Sequence, residues 1–168
     1  MRHTTALALA TLIAVPLVSA DAAAETIRRF VVQNATGFCQ AALPVFDGQI
    51  RKRPTAVANE GTSNAFVSCS MQGNPVDDNH LIDDIAIVLY NRGAGDVSVT
   101  CNLIDGFQAG ATLHPKTLVV PAGAREFFVW TPSEIGRTEI DFPNFNCNLP
   151  VGVEIGYGYY YQTYEIGS

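Results

Sequence analysis

Four groups of residues in this chain could do chemistry. The first is an acidic stretch, Asp77-Asp78-Asn79-His80-Leu81-Ile82-Asp83-Asp84, which gathers four carboxylates and an imidazole. Oxygen-rich loops of this kind suit calcium, and paired acids can serve glycoside hydrolysis. Asp77, Asp78, Asp83 and Asp84 are therefore the metal candidates. Their spacing puts no glycine or distant bidentate acid in the register of an EF-hand, so the plainer expectation is a solvated loop with no metal and no cofactor.

The second group is basic. Arg51-Lys52-Arg53 interrupts an acidic background just before Pro54, with Arg28 and Arg29 as candidate neighbours. Three cations together can hold a carboxylate, sulfate or phosphate. The simpler alternative is a solvated turn that guards a sheet edge against pairing with another chain.

Aromatic residues form the third group, Tyr157-Gly158-Tyr159-Tyr160-Tyr161-Gln162-Thr163-Tyr164. If Val153 and Ile155 set the strand register, Tyr157, Tyr159 and Tyr161 face inward and Tyr160, Gln162 and Tyr164 face outward. That outward set is the expected binding surface, because a tyrosine ring joins an apolar face to a polar tip and suits a sugar or a protein partner. Cross-strand packing of the same rings is the competing explanation.

The last group could supply a nucleophile. Gly61-Thr62-Ser63-Asn64-Ala65 resembles a nucleophile elbow whose final glycine is replaced. An elbow needs a strand, a sharp turn and a helix, followed later by an acid and a histidine. Here a strand follows, and neither His80 nor His114 has a context that marks it as a base. A tight turn is the better account, and the chain reads as non-catalytic.

Four cysteines bear on the elements that must position these groups. Cys39, Cys69, Cys101 and Cys147 lie about thirty or more residues apart and include no C-x-x-C pair, which speaks against zinc and for disulfides. Three pairings are open; consecutive pairing, Cys39–Cys69 and Cys101–Cys147, is preferred because it closes loops of moderate length. Around Cys69, Cys101 and Cys147 the residues alternate. Val67, Cys69 and Met71 share one face, as do Val99, Cys101 and Leu103, and Phe145, Cys147 and Leu149. Ile85 to Tyr90 is apolar on both faces and reads as a central strand. Turn residues at Phe46-Asp47-Gly48, Asn91 to Asp96, Asp105-Gly106 and Pro132-Ser133-Glu134 separate the runs. Seven to nine strands with little helix predict an all-β fold, an antiparallel two-sheet β-sandwich of immunoglobulin-like or jelly-roll type. No internal repeat is evident.

Residues 1–20 read as an export signal: a short basic start, an apolar run from Ala6 to Val18 and a small-residue cleavage site after Ala20, with a second after Ala24. Residues 21–168 then form one domain. Losing Arg2 leaves nine basic residues against sixteen acidic ones, a balance of −7. Clustered positive charge dominates phosphate binding, so nucleic acid is excluded as a partner. No second apolar stretch reaches spanning length, and the aromatic girdles of an outer-membrane barrel are missing, so the chain is not expected in a membrane. The expectation is an exported, secreted or periplasmic, non-catalytic protein that binds a carbohydrate or protein partner. A self-associating subunit of a surface assembly is the alternative, and a small secreted hydrolase the third.

Overall fold

Period-two burial runs through most of the chain, and it sets the architecture. The computed structural model describes residues 25–72, 80–106, 110–140 and 142–166; the expected export signal and the acidic candidates Asp77 and Asp78 lie outside the described residues. Eleven strands and one short α-helix are described, with a single 3-10 turn at Pro44–Phe46. In chain order they are β1 (Glu25–Asn34), α1 (Ala35–Phe38), β2 (Cys39–Ala41), β3 (Ile50–Arg53), β4 (Ala56–Asn59), β5 (Ala65–Ser70), β6 (His80–Asn91), β7 (Val97–Asp105), β8 (Thr112–Val120), β9 (Arg125–Trp130), β10 (Asn144–Leu149) and β11 (Val153–Ile166). The count exceeds the seven to nine expected because β2, β3 and β4 have only three or four residues each. Runs that short carry almost no periodic signal.

Two antiparallel sheets pack face to face. The first has the order β3-β4-β11-β6-β9, with β1 also paired to β11; the second runs β2-β5-β10-β7-β8. Strand β11 is the organiser of the first sheet: β6 lines one edge, while β4 and β1 share the other. Between the sheets lie Ile85, Ile87, Leu89, Phe128, Trp130 and Ile155 from the first and Val67, Val99, Leu103, Phe145 and Leu149 from the second, all buried. The Trp130 ring lies 5.4 Å from that of Phe145 and so bridges the layers. Its Nε1 donates to the carbonyl of His114 at 3.0 Å, satisfying the one polar atom that burial of the indole leaves exposed to cost.

Disulfides join Cys39 to Cys69 and Cys101 to Cys147. In each case the partners sit directly opposite one another on neighbouring strands, β2 with β5 and β7 with β10. Both bonds therefore lie within the second sheet. Closing loops of 30 and 46 residues restricts the unfolded chain, worth about 3.5 to 4 kcal/mol for each bond on the chain-entropy estimate.

What ties the two sheets at one end is a device used twice. Asn59 closes β4 and Asn91 closes β6, each at the point where the chain leaves the first sheet for the second. Both are fully buried. Asn59 Nδ2 donates to the carbonyls of Ser63 and Leu149, both at 2.8 Å, and its Oδ1 accepts from the Gly61 N–H at 3.0 Å. Asn91 repeats the pattern with Gly95 at 2.8 Å, Val120 at 3.0 Å and the Gly93 N–H at 2.8 Å. Leu149 and Val120 each end a strand of the second sheet and are each followed by Pro-x-Gly. Those glycines, Gly152 and Gly123, take φ of +80° and +70°, a conformation costly for any side chain. Their N–H groups donate back to the carbonyls of Asn59 and Asn91, each at 2.9 Å. An Asn-x-Gly turn thus meets an aliphatic-Pro-x-Gly turn at two places in one fold.

Candidate functional site

The expected binding surface is turned over. Strand β11 pairs Ile155 with Leu89 but Tyr157 with Val88, so Gly156 is an extra residue in the ladder. Side chains alternate with a period of two, and one inserted residue therefore exchanges the faces of everything beyond it. Val153 and Ile155 do point inward. Past the bulge the inward residues are Gly158, Tyr160 and Gln162, and Tyr157, Tyr159 and Tyr161 face out. Tyr160 is only 4% exposed and its hydroxyl donates to the Gln72 carbonyl at 3.2 Å; Gln162 is 2% exposed. Tyr164, half-buried, follows the same inward parity. Tyr160, Gln162 and Tyr164 thus form no outward surface, and the outward rings are those of Tyr157, Tyr159 and Tyr161.

Those outward tyrosines belong to a larger aromatic surface on the solvent side of the six-stranded sheet. Cross-strand register places Phe30 of β1 beside Tyr161, and Val32 beside Tyr159. On the other side, Tyr157 and Tyr159 lie against Val88 and Ala86 of β6, which in turn neighbour Phe127 and Val129 of β9. Ring centroids are 4.7 Å apart for Phe30 and Tyr161, 5.4 Å for Phe30 and Tyr159, and 6.4 Å for Phe127 and Tyr159. Phe30 is 51% exposed and Phe127 39%. Ala86 and Val88 lie on this same outer face yet are buried, because the larger side chains around them close over the floor. The product is a continuous surface of rings across β1, β11, β6 and β9.

A charged border edges it. Arg28 lies with its guanidinium carbon 4.0 Å from the centre of the Tyr161 ring. Its Nε donates to Asp83 at 3.0 Å and its Nη2 to Asp84 at 3.1 Å, while Thr163 Oγ1 donates to Asp83 at 2.7 Å. Adjacent residues of a strand normally face opposite ways. Here a second irregularity, between the Tyr161–Asp84 and Gln162–Ile82 pairs, leaves Asp83 outside the ladder and lets both carboxylates reach one arginine. Burial raises the carboxyl pKa of Asp84 above its ordinary value; Arg28 opposes this and Asp83 adds to it. Burial raises the Tyr159 phenol as well, with the Asp84 charge contributing.

The other sequence candidates scatter. Asp83 and Asp84 face the Arg28 guanidinium, and no cluster of three metal-ligating side chains occurs among the described residues. Arg51, Lys52 and Arg53 alternate along β3 and do not converge on one anion. Arg51 reaches the Asp47 carbonyl at 3.4 Å, Arg53 makes a bidentate pair with Glu60, and Lys52 donates to the Thr36 carbonyl at 3.0 Å. Ser63 Oγ bonds the Gln49 side chain at 3.0 Å, and its carbonyl accepts from Asn59, so it is a turn residue. Sequence reasoning missed Phe30, Phe127 and Tyr159. The available signals were the Phe30-x-Val32 alternation and a glycine inside an otherwise regular strand, a common mark of a bulge.

No protein-family model matches the chain, and no curated protein matches it by sequence. Solved structures similar to it include a GH26-CBM35 β-(1,4)-mannanase of Podospora anserina, with 10% identity, a TM-score of 0.36 and 83% of this chain covered. The chain spans 28% of that protein's length. A CBM4 structure matches with 8% identity and a TM-score of 0.34, covering 81% of this chain and 86% of its own. TmCBM61, solved with β-1,4-galactotriose, matches with 7% identity and a TM-score of 0.32, covering 83% of this chain and 88% of its own. Among the described residues no helix is long and apolar enough to cross a membrane.

Proposed function

We propose that the chain is an exported, non-catalytic binding protein whose ligand is a carbohydrate laid across the outer face of the six-stranded sheet. The observation that carries this is the pair Phe30 and Phe127, 51% and 39% exposed, flanking Tyr159 and Tyr161 in one surface. A sugar ring presents C–H faces and hydroxyl edges. Aromatic faces take the first, and the Arg28, Asp83 and Asp84 border with the tyrosine hydroxyls takes the second. From β1 to β9 is three strand spacings, roughly 14 Å, which suits several linked sugars better than one. Two disulfides support export to an oxidising compartment.

A glycan array followed by titration calorimetry tests this. Phe30→Ala with Tyr161→Ala is expected to weaken binding at least tenfold, about 1.4 kcal/mol, with the fold intact by circular dichroism. A blank array with the unaltered protein overturns the carbohydrate reading.

One further observation favours self-association. Val32, also 51% exposed, neighbours Phe30 on β1, and β1 has only one strand partner among the described residues. Two copies pairing along β1 would cover both side chains. Light scattering distinguishes the readings: a dimer abolished by Val32→Lys supports association, and a monomer at all concentrations rejects it.

A further inference from the structure

On the opposite side of β1 from the aromatic surface, a second set of polar groups surrounds a cleft. Its larger lobe, about 470 Å³, is lined by Gln33, Asn34, Thr36, Phe38 and Gln72, among others. Its smaller lobe, about 200 Å³, is lined by Phe38, Gln40, Lys52 and Ser68. Gly37, Phe38 and Ser70 border both lobes, so the two adjoin one another between α1 and the β2–β5 edge of the second sheet.

Three features of the lining bear on what it could hold. Among the described residues no carboxylate borders either lobe, although acidic residues outnumber basic ones sixteen to ten in the chain. Lys52, the one cation among its described lining residues, donates to the Thr36 carbonyl at 3.0 Å and pairs with no described acid. Two of its three ammonium protons remain for a ligand. Finally, Gln40, Ser68 and Ser70 make no side-chain hydrogen bond to a described residue, and all border the smaller lobe beside Lys52. Hydroxyls, amides, one aromatic ring and a single uncompensated ammonium form a donor set for a polyhydroxylated molecule carrying one negative charge.

We infer that this cleft binds an acidic saccharide unit, a uronic acid whose carboxylate pairs with Lys52 and whose hydroxyls meet Ser68, Ser70 and Gln40. The Phe38 ring, seated on Gly158, supplies the apolar contact for the sugar face. The site is separate from the aromatic surface and independent of it. A single ammonium favours a carboxylate over a dianionic phosphate, for which a bidentate arginine fits better.

The test is titration of the protein with a trimer of galacturonic acid and with its methyl ester, followed by amide chemical shifts at low salt. The acid is expected to shift Gly37, Ser68 and Ser70, and the ester to bind at least tenfold more weakly. Lys52→Gln should lose at least tenfold in affinity for the acid, and Lys52→Arg should keep it within about threefold. A Cβ at Gly37 meets nothing within 4 Å, so Gly37→Leu adds bulk to open space and should block binding while leaving Lys52 and the fold in place. Phe30→Ala with Tyr161→Ala should leave this binding unchanged, which separates its fate from that of the aromatic surface. Equal binding of acid and ester, full affinity in Lys52→Gln or Gly37→Leu, or no shift at Ser68 and Ser70 overturns the inference.

Discussion

Truncating Asn91 to alanine should cost the fold about 3 kcal/mol. Its side chain makes three hydrogen bonds of 2.8 to 3.0 Å, and the residue has no exposed surface. The bonds to Gly95 and Gly93 lie at the margin of the buried region, where water can partly replace them, so each contributes about 0.5 to 1 kcal/mol. The bond to the Val120 carbonyl is buried, and leaving that acceptor without its donor costs about 1 to 3 kcal/mol. Their sum corresponds to a melting point lower by about 10 °C for a domain of this size. Urea denaturation is the assay, and the midpoint should fall with the slope unchanged. Asn91→Asp sharpens the test, since it keeps the acceptor for Gly93 but turns a carboxylate toward two carbonyl oxygens. Burial among acceptors raises the pKa of that new acid in the folded state. Its variant is therefore most stable below the unfolded carboxylate pKa, and loses stability as pH rises through the raised folded value. Asn59→Ala should match Asn91→Ala. The double variant should depart from additivity, because Gly152 donates to the Asn59 carbonyl and accepts from Arg92 next to Asn91. A cost below about 0.5 kcal/mol for either single change, the range of ordinary surface substitutions, refutes the assignment.

Gly158→Ala should destabilise by about 1 to 3 kcal/mol, because a Cβ there lies 2.8 Å from Met71 Sδ, 2.9 Å from Phe38 Cζ and 3.2 Å from the Ala86 carbonyl. Unchanged urea stability would mean that α1 yields freely. Asp84 carries a raised folded-state pKa, so its contribution favours the fold in acid and is lost as pH rises through that value. Asp84→Asn should accordingly flatten the melting-temperature profile just above the ordinary carboxylate range, with Arg28 still held by Asp83. A variant less stable than the parent at neutral pH would show that attraction to Arg28 outweighs burial.

Much of the sandwich is legible in local alternation. Val67-Ser68-Cys69, Val99-Thr100-Cys101 and Phe145-Asn146-Cys147 announce their inner faces because each strand keeps its parity from end to end. Strand β11 does not. One glycine at 156 exchanges its faces, so the register read from Val153 and Ile155 assigns every tyrosine to the wrong side. Asp83 and Asp84 read as a solvated acidic loop for the same kind of reason: only an irregular ladder lets neighbours share Arg28. The basic trio dissolves once β3 is a strand, since three consecutive residues cannot share a face. Asn59 and Asn91 are invisible as a pair because their partners Leu149 and Val120 are 90 and 29 residues away. Asn-x-Gly and Pro-x-Gly are ordinary turn signals until the fold brings them together.

The pairing of β1 with β11 also decides how the domain bears tension. Glu25 sits opposite Ile166, so the two ends of the described chain leave from the same corner of the first sheet. Pulled apart there, the two strands load their hydrogen bonds singly, as a zipper opens, and not all together in shear. Neither disulfide stands in the way, because both reinforce the second sheet. Stretching would peel β1 away first and take Phe30 with it, so a tether attached at this corner would loosen the aromatic surface before it broke the sandwich.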